Sequence, residues 1–211
     1  RVGLVTTEGF RDLLEMREGI KEDRYNLRTS QVKPLVPRYL RMTVPERVRA
    51  DGSVYVPLDE EALARALDKL DEEGIEALAV CFLFSYANPQ NERRAGEIVR
   101  ARFPDAYTSL SHEVLPQIKE FNRLSTTVIN SYVGPVLGRY LRRLEDRLAA
   151  FEHRRQVLVM QSNGGVAPIG DTVRQAVRAI LSGPAGGVAG ASHYAGLVGA
   201  ERAIGFDMGG T

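Results

Sequence analysis

The chain has 211 residues, 44% of them hydrophobic and 26% charged, with a formal net charge of +1. This supports an ordinary globular core in one large or two small domains, and the near-neutral balance gives no basis for a nucleic-acid or membrane partner. No apolar run approaches the roughly 20 residues of a spanning helix, and the lone cysteine, Cys81, excludes an internal disulfide framework and points to a reducing cytoplasm.

Val2–Val5 reads as a buried strand and Phe10–Glu18 as the helix after it. From Tyr25 to Pro57 the pattern is irregular, with Arg38–Val48 and Ser53–Val56 as strand pieces around the turn Ala50-Asp51-Gly52. Leu63, Ala66, Leu67 and Leu70 then fall at helical spacing. Asp59, Glu60 and Glu61 suit the N-terminal end of that helix, and Gly74 its stop. Glu76–Phe84 is a continuous apolar strand of the kind a parallel sheet buries on both faces, which makes Cys81 a core thiol. Asn91–Phe103 is helical again, and Tyr107–Ser111 is a short strand. The alternation predicts an α/β layer.

Between Pro116 and Phe151, apolar residues keep helical spacing past the interruption Gly134-Pro135. Two consecutive helices or one bent helix fit equally. The face with Arg139, Arg142, Arg143, Glu145, Asp146 and Arg147 mixes both signs and reads as solvated surface. Gln156–Gln161 is a strand ending in Ser162-Asn163-Gly164-Gly165, a turn or a cleft edge. Val173–Leu181 reads as a helix with an apolar exit.

Leu181–Ala191 is a helix start rich in glycine, with Ser182 or Gly183 as N-cap and Pro184 in the first turn. Gly183, Gly186, Gly187 and Gly190 each cost up to about 1 kcal/mol relative to alanine. Close packing of Gly186 and Gly190 on a neighbour is the favoured compensation, and a phosphate site at the helix N-terminus is the alternative. Neither G-x-G-x-x-G nor a Walker A lysine is present. His112 follows a strand end and so has a better claim to a cleft than His153 or His193, although a structural role is the default for all three.

Ile204–Phe206 reads as a strand running into Asp207-Met208-Gly209-Gly210-Thr211. There the glycines would let backbone N–H groups approach an anion, Asp207 could hold hydrated Mg²⁺, and Thr211 could donate to a phosphate oxygen. With Arg1 in place of a methionine and the motif cut at Thr211, the chain is expected to be an internal piece of a longer protein, inactive toward ATP by itself.

Several short motifs stand in a familiar order. They include Thr6–Asp12, Val44–Val48, Ser85-Tyr86-Ala87-Asn88-Pro89, Ser111-His112-Glu113-Val114 and Ser125-Thr126-Thr127-Val128. Met160–Gly165, Leu181–Ala185 and Phe206–Thr211 follow. Together they resemble the hydantoinase A / 5-oxoprolinase family of the actin-like ATPase superfamily.

The resemblance implies incomplete ribonuclease H-like, actin-like lobes. Residues 1–115 would be the later part of the first lobe, and residues 116–211 a long connecting helix and the start of the second. It implies ATP and Mg²⁺ as cofactors, with Asp207 as metal ligand. Gly209, Gly210 and Thr211, and less directly Ser182 and Gly183, would hold phosphate. The implied activity is ATP-dependent opening of hydantoin, N-methylhydantoin or 5-oxoproline, beside a hydantoinase B-like subunit. Ketone carboxylation with ATP, or a non-catalytic partner-binding module, are the alternatives. The catalytic base and nucleophile stay unassigned.

Overall fold

The computed structural model describes residues 1–19, 25, 26, 28, 33–153 and 155–209. The chain divides into two compact units, Arg1–Pro135 and Val136–Thr211.

The first unit is built on a four-stranded, all-parallel sheet of β1 (Val2–Thr7), β2 (Arg41–Val44), β5 (Ala77–Cys81) and β6 (Tyr107–Leu110), in the order β2-β1-β5-β6. The two inner strands, β1 and β5, are buried along their whole length. Parallel strands covered on both faces have that character, which is why Glu76–Phe84 shows no alternation. Helix α2 (Glu60–Glu72) starts where Asp59 accepts a bond from Ala62 N–H at 2.8 Å, and it stops before Gly74 at φ +62°. Its Leu63, Ala66, Leu67 and Leu70 join one core with Leu4, Val5, Leu78 and Val80 of the sheet. Helix α3 (Gln90–Arg102) adds Ala95 and Val99 to the same core. A short antiparallel pair, β3 (Arg47–Val48) and β4 (Val54–Val56), flanks the Asp51-Gly52 turn.

Two local expectations change, and a third, the buried Cys81 thiol, holds. The helix expected over Phe10–Glu18 shrinks to α1 (Leu13–Met16), because Gly9 at φ +89° and Arg17 at φ 54° place turns on either side. The Arg38–Val48 strand divides into a single 3-10 turn (Arg38–Leu40), β2 and β3. Cys81 is 4% exposed, and burial pushes its thiol up to about 12.

Helix α5 (Glu120–Ala150) is one helix of 31 residues with Pro135 inside it, so the two-helix alternative is not realised. In the first unit Gly134 lets the helix touch the sheet: a Cβ there would lie 2.2 Å from the Tyr107 ring. Past Pro135, all six charged residues of the predicted solvated face are exposed.

The second unit contains the remainder of α5, a hairpin of β7 (Leu158–Met160) and β8 (Val166–Pro168), helix α6 (Ile169–Arg174), a 3-10 turn (Ala176–Ala179) and helix α7 (Ser182–Leu197). The helix expected over Val173–Leu181 begins earlier, at Ile169, and breaks at Gln175. The expected close packing of α7 is also corrected. A Cβ at Gly186 would make ordinary contact with Met160 at 3.5 Å, and one at Gly190 would meet open space. No residue of α7 is buried, so packing does not offset its glycine cost.

Among the described residues, no helix is long and apolar enough to cross a membrane.

The two glycines give opposite tests. Gly134→Ala should lower stability by about 1–3 kcal/mol, because the Tyr107 ring must move. Gly190→Ala should raise it by about 0.4–1 kcal/mol by restricting the unfolded chain. Urea denaturation of each variant checks both signs.

Candidate functional site

At the carboxyl end of the parallel sheet, where open α/β sheets place their ligands, polar side chains converge in a buried cluster. Arg123 of α5 is 1% exposed, and its Nη1 donates to Phe82 O at 2.8 Å, Ser85 Oγ at 2.6 Å and Ser111 Oγ at 2.5 Å. The guanidinium also lies 5.6 Å from the Tyr86 ring centroid. Glu92 of α3 is fully buried. It accepts from Phe82 N–H at 2.7 Å, Ser111 Oγ at 2.8 Å and His112 N–H at 2.8 Å. Its Oε1 lies 2.7 Å from His112 Nδ1. Ser111, the first residue of the short helix α4 (Ser111–Val114), thus stands between the buried cation and the buried carboxylate.

A second buried carboxylate lies beside it. Glu46 accepts from the Thr7 hydroxyl and from Asn91 Nδ2 at 2.9 Å, while Thr7 Oγ1 accepts from Leu83 N–H at 2.9 Å. Burial holds the Glu46 carboxyl above its usual range against those hydrogen bonds. The chain between β5 and α3 is shaped by Phe84 at φ 53°, a left-handed position that few bulky residues adopt. At the β1 end, Asp12 takes a two-pronged bond from Arg38 at 3.0 and 3.2 Å, which holds its carboxyl below the ordinary range.

The sequence shows signals for this cluster that periodicity of apolar residues passes over. Glu92 lies on the same helical stripe as Ala95, Gly96 and Val99. Arg123, Thr127, Asn130, Ser131 and Gly134 form a polar and small stripe at helical spacing, all buried. Asn130 donates to Ser109 Oγ at 3.0 Å and to Tyr107 Oη at 3.1 Å, and Ser131 donates to Leu78 O at 3.2 Å.

In the second unit, two glycine-containing motifs come together. The Ser162–Gly165 segment is the hairpin turn, with Asn163 Oδ1 accepting from Gly165 N–H at 2.9 Å and Gly164 at φ +82°. Ser162 Oγ donates to Arg178 O at 2.6 Å and accepts from Leu181 N–H at 3.2 Å. The expected N-cap is therefore shifted. Leu181 occupies the cap position, Ser182 is the first helical residue, and no side chain caps the helix. The Ser162 hydroxyl of the hairpin braces the chain just before it. A cleft of about 290 Å³ beside the hairpin is lined by Gln161, Asp171, Arg174 and Arg178 among others.

Asp207 and Gly209 lie in an exposed segment without regular structure, and Gly210 and Thr211 fall outside the described residues. The strand expected over Ile204–Phe206 is not formed: Ile204 is 97% and Phe206 85% exposed, and no ladder takes up their main-chain groups among the described residues. A strand depends on such a partner. Gly205 instead lies beside Ala191, about 13 Å along the α7 axis from Ser182 at 1.5 Å per residue. No hydrogen bond joins Asp207 to Ser182 or Gly183 among the described residues.

By residue type, though not by assembled geometry, the donors are those a Mg²⁺·nucleotide takes. Among the described residues, no group of three or more histidine, cysteine or acidic side chains could cage a metal. Mg²⁺ ordinarily takes one or two carboxylates with water and phosphate, and Asp207 offers one. Ser182 and Gly183 present helix N-terminal N–H groups, and Pro184 has none.

These features define an α/β protein with a polar cluster at the carboxyl edge of its parallel sheet. The description "Hydantoinase/oxoprolinase N-terminal region" matches residues 1–103, and "Hydantoinase/oxoprolinase" matches residues 123–211. The chain belongs to the hydantoinase/oxoprolinase family. It is 43% identical to the caprolactamase subunit alpha of Pseudomonas jessenii, over all of this chain and 31% of that protein. It is 31% identical to the acetophenone carboxylase gamma subunit of Aromatoleum aromaticum, over all of this chain and 30% of that one. The crystal structure of ATP-dependent caprolactamase from Pseudomonas jessenii superposes with a TM-score of 0.83, covering 94% of this chain and 29% of that chain at 43% identity. The chain thus spans about a third of the length of these curated relatives.

Two predictions follow from the buried charges. Arg123→Met should cost about 3–5 kcal/mol, because the Glu92 side is left without its cation; urea denaturation reads this directly. Glu46, with its folded pKa raised, contributes stability that is complete below its unfolded value near 4.5 and is lost as pH rises through the folded value. The stability of wild type relative to Glu46→Gln should therefore fall as pH increases across that window. A flat or rising difference would show that burial does not govern Glu46.

Proposed function

We propose that the chain is part of an ATP-dependent enzyme that opens cyclic amides. The observation that carries this reading is 43% identity across the whole chain to a caprolactamase subunit, with agreement in fold. Caprolactam, hydantoin and 5-oxoproline share one chemical problem, an unstrained amide whose carbon is a poor electrophile. Bound ATP would supply a phosphoryl group to the amide oxygen, which makes the amide carbon electrophilic enough for water to add. Asp207 would hold Mg²⁺ through its carboxylate, with water and phosphate completing the shell. Backbone N–H groups of Gly209 and Gly210, the Thr211 hydroxyl, and the N–H groups of Ser182 and Gly183 would orient phosphate oxygens. The carboxyl edge of the parallel sheet, stiffened by Arg123 and Glu92, would present the loops after β1, β5 and β6.

The subunit names of the relatives support a partner, which we assign to the hydantoinase B type. A cytoplasmic location accords with the single, buried cysteine. Ketone carboxylation is the second reading, favoured by the similarity to an acetophenone carboxylase subunit.

The intact protein, purified with its partner subunit, should release ADP in step with ring-opened product from caprolactam, 5-oxoproline or hydantoin. ADP release only with a ketone and bicarbonate would establish the second reading. Asp207→Asn should reduce turnover by about 10²-fold while leaving the denaturation midpoint unchanged. Wild-type turnover in that variant would remove Asp207 from the metal site.

A further inference from the structure

We infer that His112 is a proton-accepting residue of this enzyme, aimed by Glu92. The inference rests on the ring-opening reading above but on different residues. His112 follows β6 at the carboxyl edge of the sheet, and its side chain is 10% exposed. One oxygen of Glu92 takes both its backbone N–H at 2.8 Å and its Nδ1 at 2.7 Å, so that the ring is fixed from two points. The other oxygen takes Phe82 N–H and the Ser111 hydroxyl, which leaves Glu92 no freedom to follow a different partner.

A carboxylate can only accept, so the proton of a neutral His112 ring stands on Nδ1 and the lone pair on Nε2. Among the described residues nothing hydrogen-bonds Nε2. A buried structural histidine would use both nitrogens. This one spends one nitrogen on a fully buried carboxylate and leaves the other without a partner among the described residues, the arrangement by which a carboxylate orients a base. His153 and His193 are exposed and have no such partner among the described residues.

In the ring-opening step, Nε2 takes a proton from water as the water oxygen bonds to the activated amide carbon. The imidazolium so formed faces the Glu92 carboxylate. The proton then passes to the lactam nitrogen as the carbon–nitrogen bond breaks, which restores neutral His112 and leaves an acyl phosphate that a second water cleaves to carboxylate and phosphate. Glu92 touches neither water nor amide and is a positioning residue.

Two measurements on the intact protein test this. In the first, ¹⁵N-histidine spectra at a pH where the ring signals no longer move, with His112→Asn assigning the signal, should show the His112 proton on Nδ1. A proton on Nε2 overturns the inference regardless of activity. In the second, the complex with the partner subunit is assayed with caprolactam and ATP. His112→Asn keeps a donor facing Glu92 but has no nitrogen at the Nε2 place. Turnover should fall about 10²–10⁴-fold, with the ATP KM and denaturation midpoint near wild type. Turnover within about threefold of wild type overturns the inference. A wild-type complex that opens no lactam defeats the functional reading, and the tautomer then decides His112 by itself.

Discussion

A buried guanidinium sets the terms for the first unit. Arg123 is 1% exposed, and a cation in that position must be surrounded by oxygen or it expels itself. Its oxygens come from three places: the carbonyl that follows β5, the hydroxyl of Ser85 in the loop after it, and the hydroxyl of Ser111 at the end of β6. Ser111 in turn donates to Glu92, and Glu92 receives the backbone of Phe82 and His112. Two helices and two strand ends are therefore fixed by one charge and its answer. Such a network is strong only when nearly every member is satisfied, and among the described residues the fully buried Arg123 Nε lacks a partner. The loops at this edge inherit that rigidity, and the left-handed turn at Phe84 is held in place by it.

The second unit has a different economy. Its hairpin reaches the start of α7 through Ser162, whose hydroxyl links Arg178 O to Leu181 N–H and whose backbone N–H also donates to Arg178 O. The α7 face is open, with Val188, Tyr194 and Leu197 each more than two-thirds exposed. Glycine in this helix lowers local stability without a compensating contact at Gly190. Elements of low local stability are those that can change conformation on binding, which accords with the role proposed for the N-terminus of α7.

What could be read from the sequence depended on whether one residue's neighbours lay nearby in the chain. Strand β5 and helix α2 were legible because burial on both faces and amphipathic spacing are local patterns, and because Asp59 and Gly74 mark the helix ends. Strand β8 has no signature of its own in the sequence: Val166–Pro168 is three residues long and owes its conformation to pairing with β7. The Ile204–Phe206 strand was expected on apolar character, but a strand also needs a partner ladder, and none takes it up among the described residues. The motif residues Ser85, Ser111 and His112 were recognised, whereas Glu92 and Arg123 were not, because a charged residue in a helix ordinarily faces water. Their position within buried stripes was visible, but their partners, 10 to 41 residues away, were not. Asp207, Gly209, Ser182 and Gly183 rest on resemblance and donor chemistry, not on a preformed constellation.

Glu92 and Thr7, locked by Arg123 and Glu46, hold the backbone at the carboxyl edge. Native-state hydrogen exchange reads that backbone amide by amide. The N–H groups of Phe82 and His112, bonded to Glu92, and of Leu83, bonded to Thr7, lie in loops or a short helical turn. They should exchange only through opening close to the global unfolding free energy, like the core amides of β5. Exchange of these three at the rate of exposed loop amides would contradict the account.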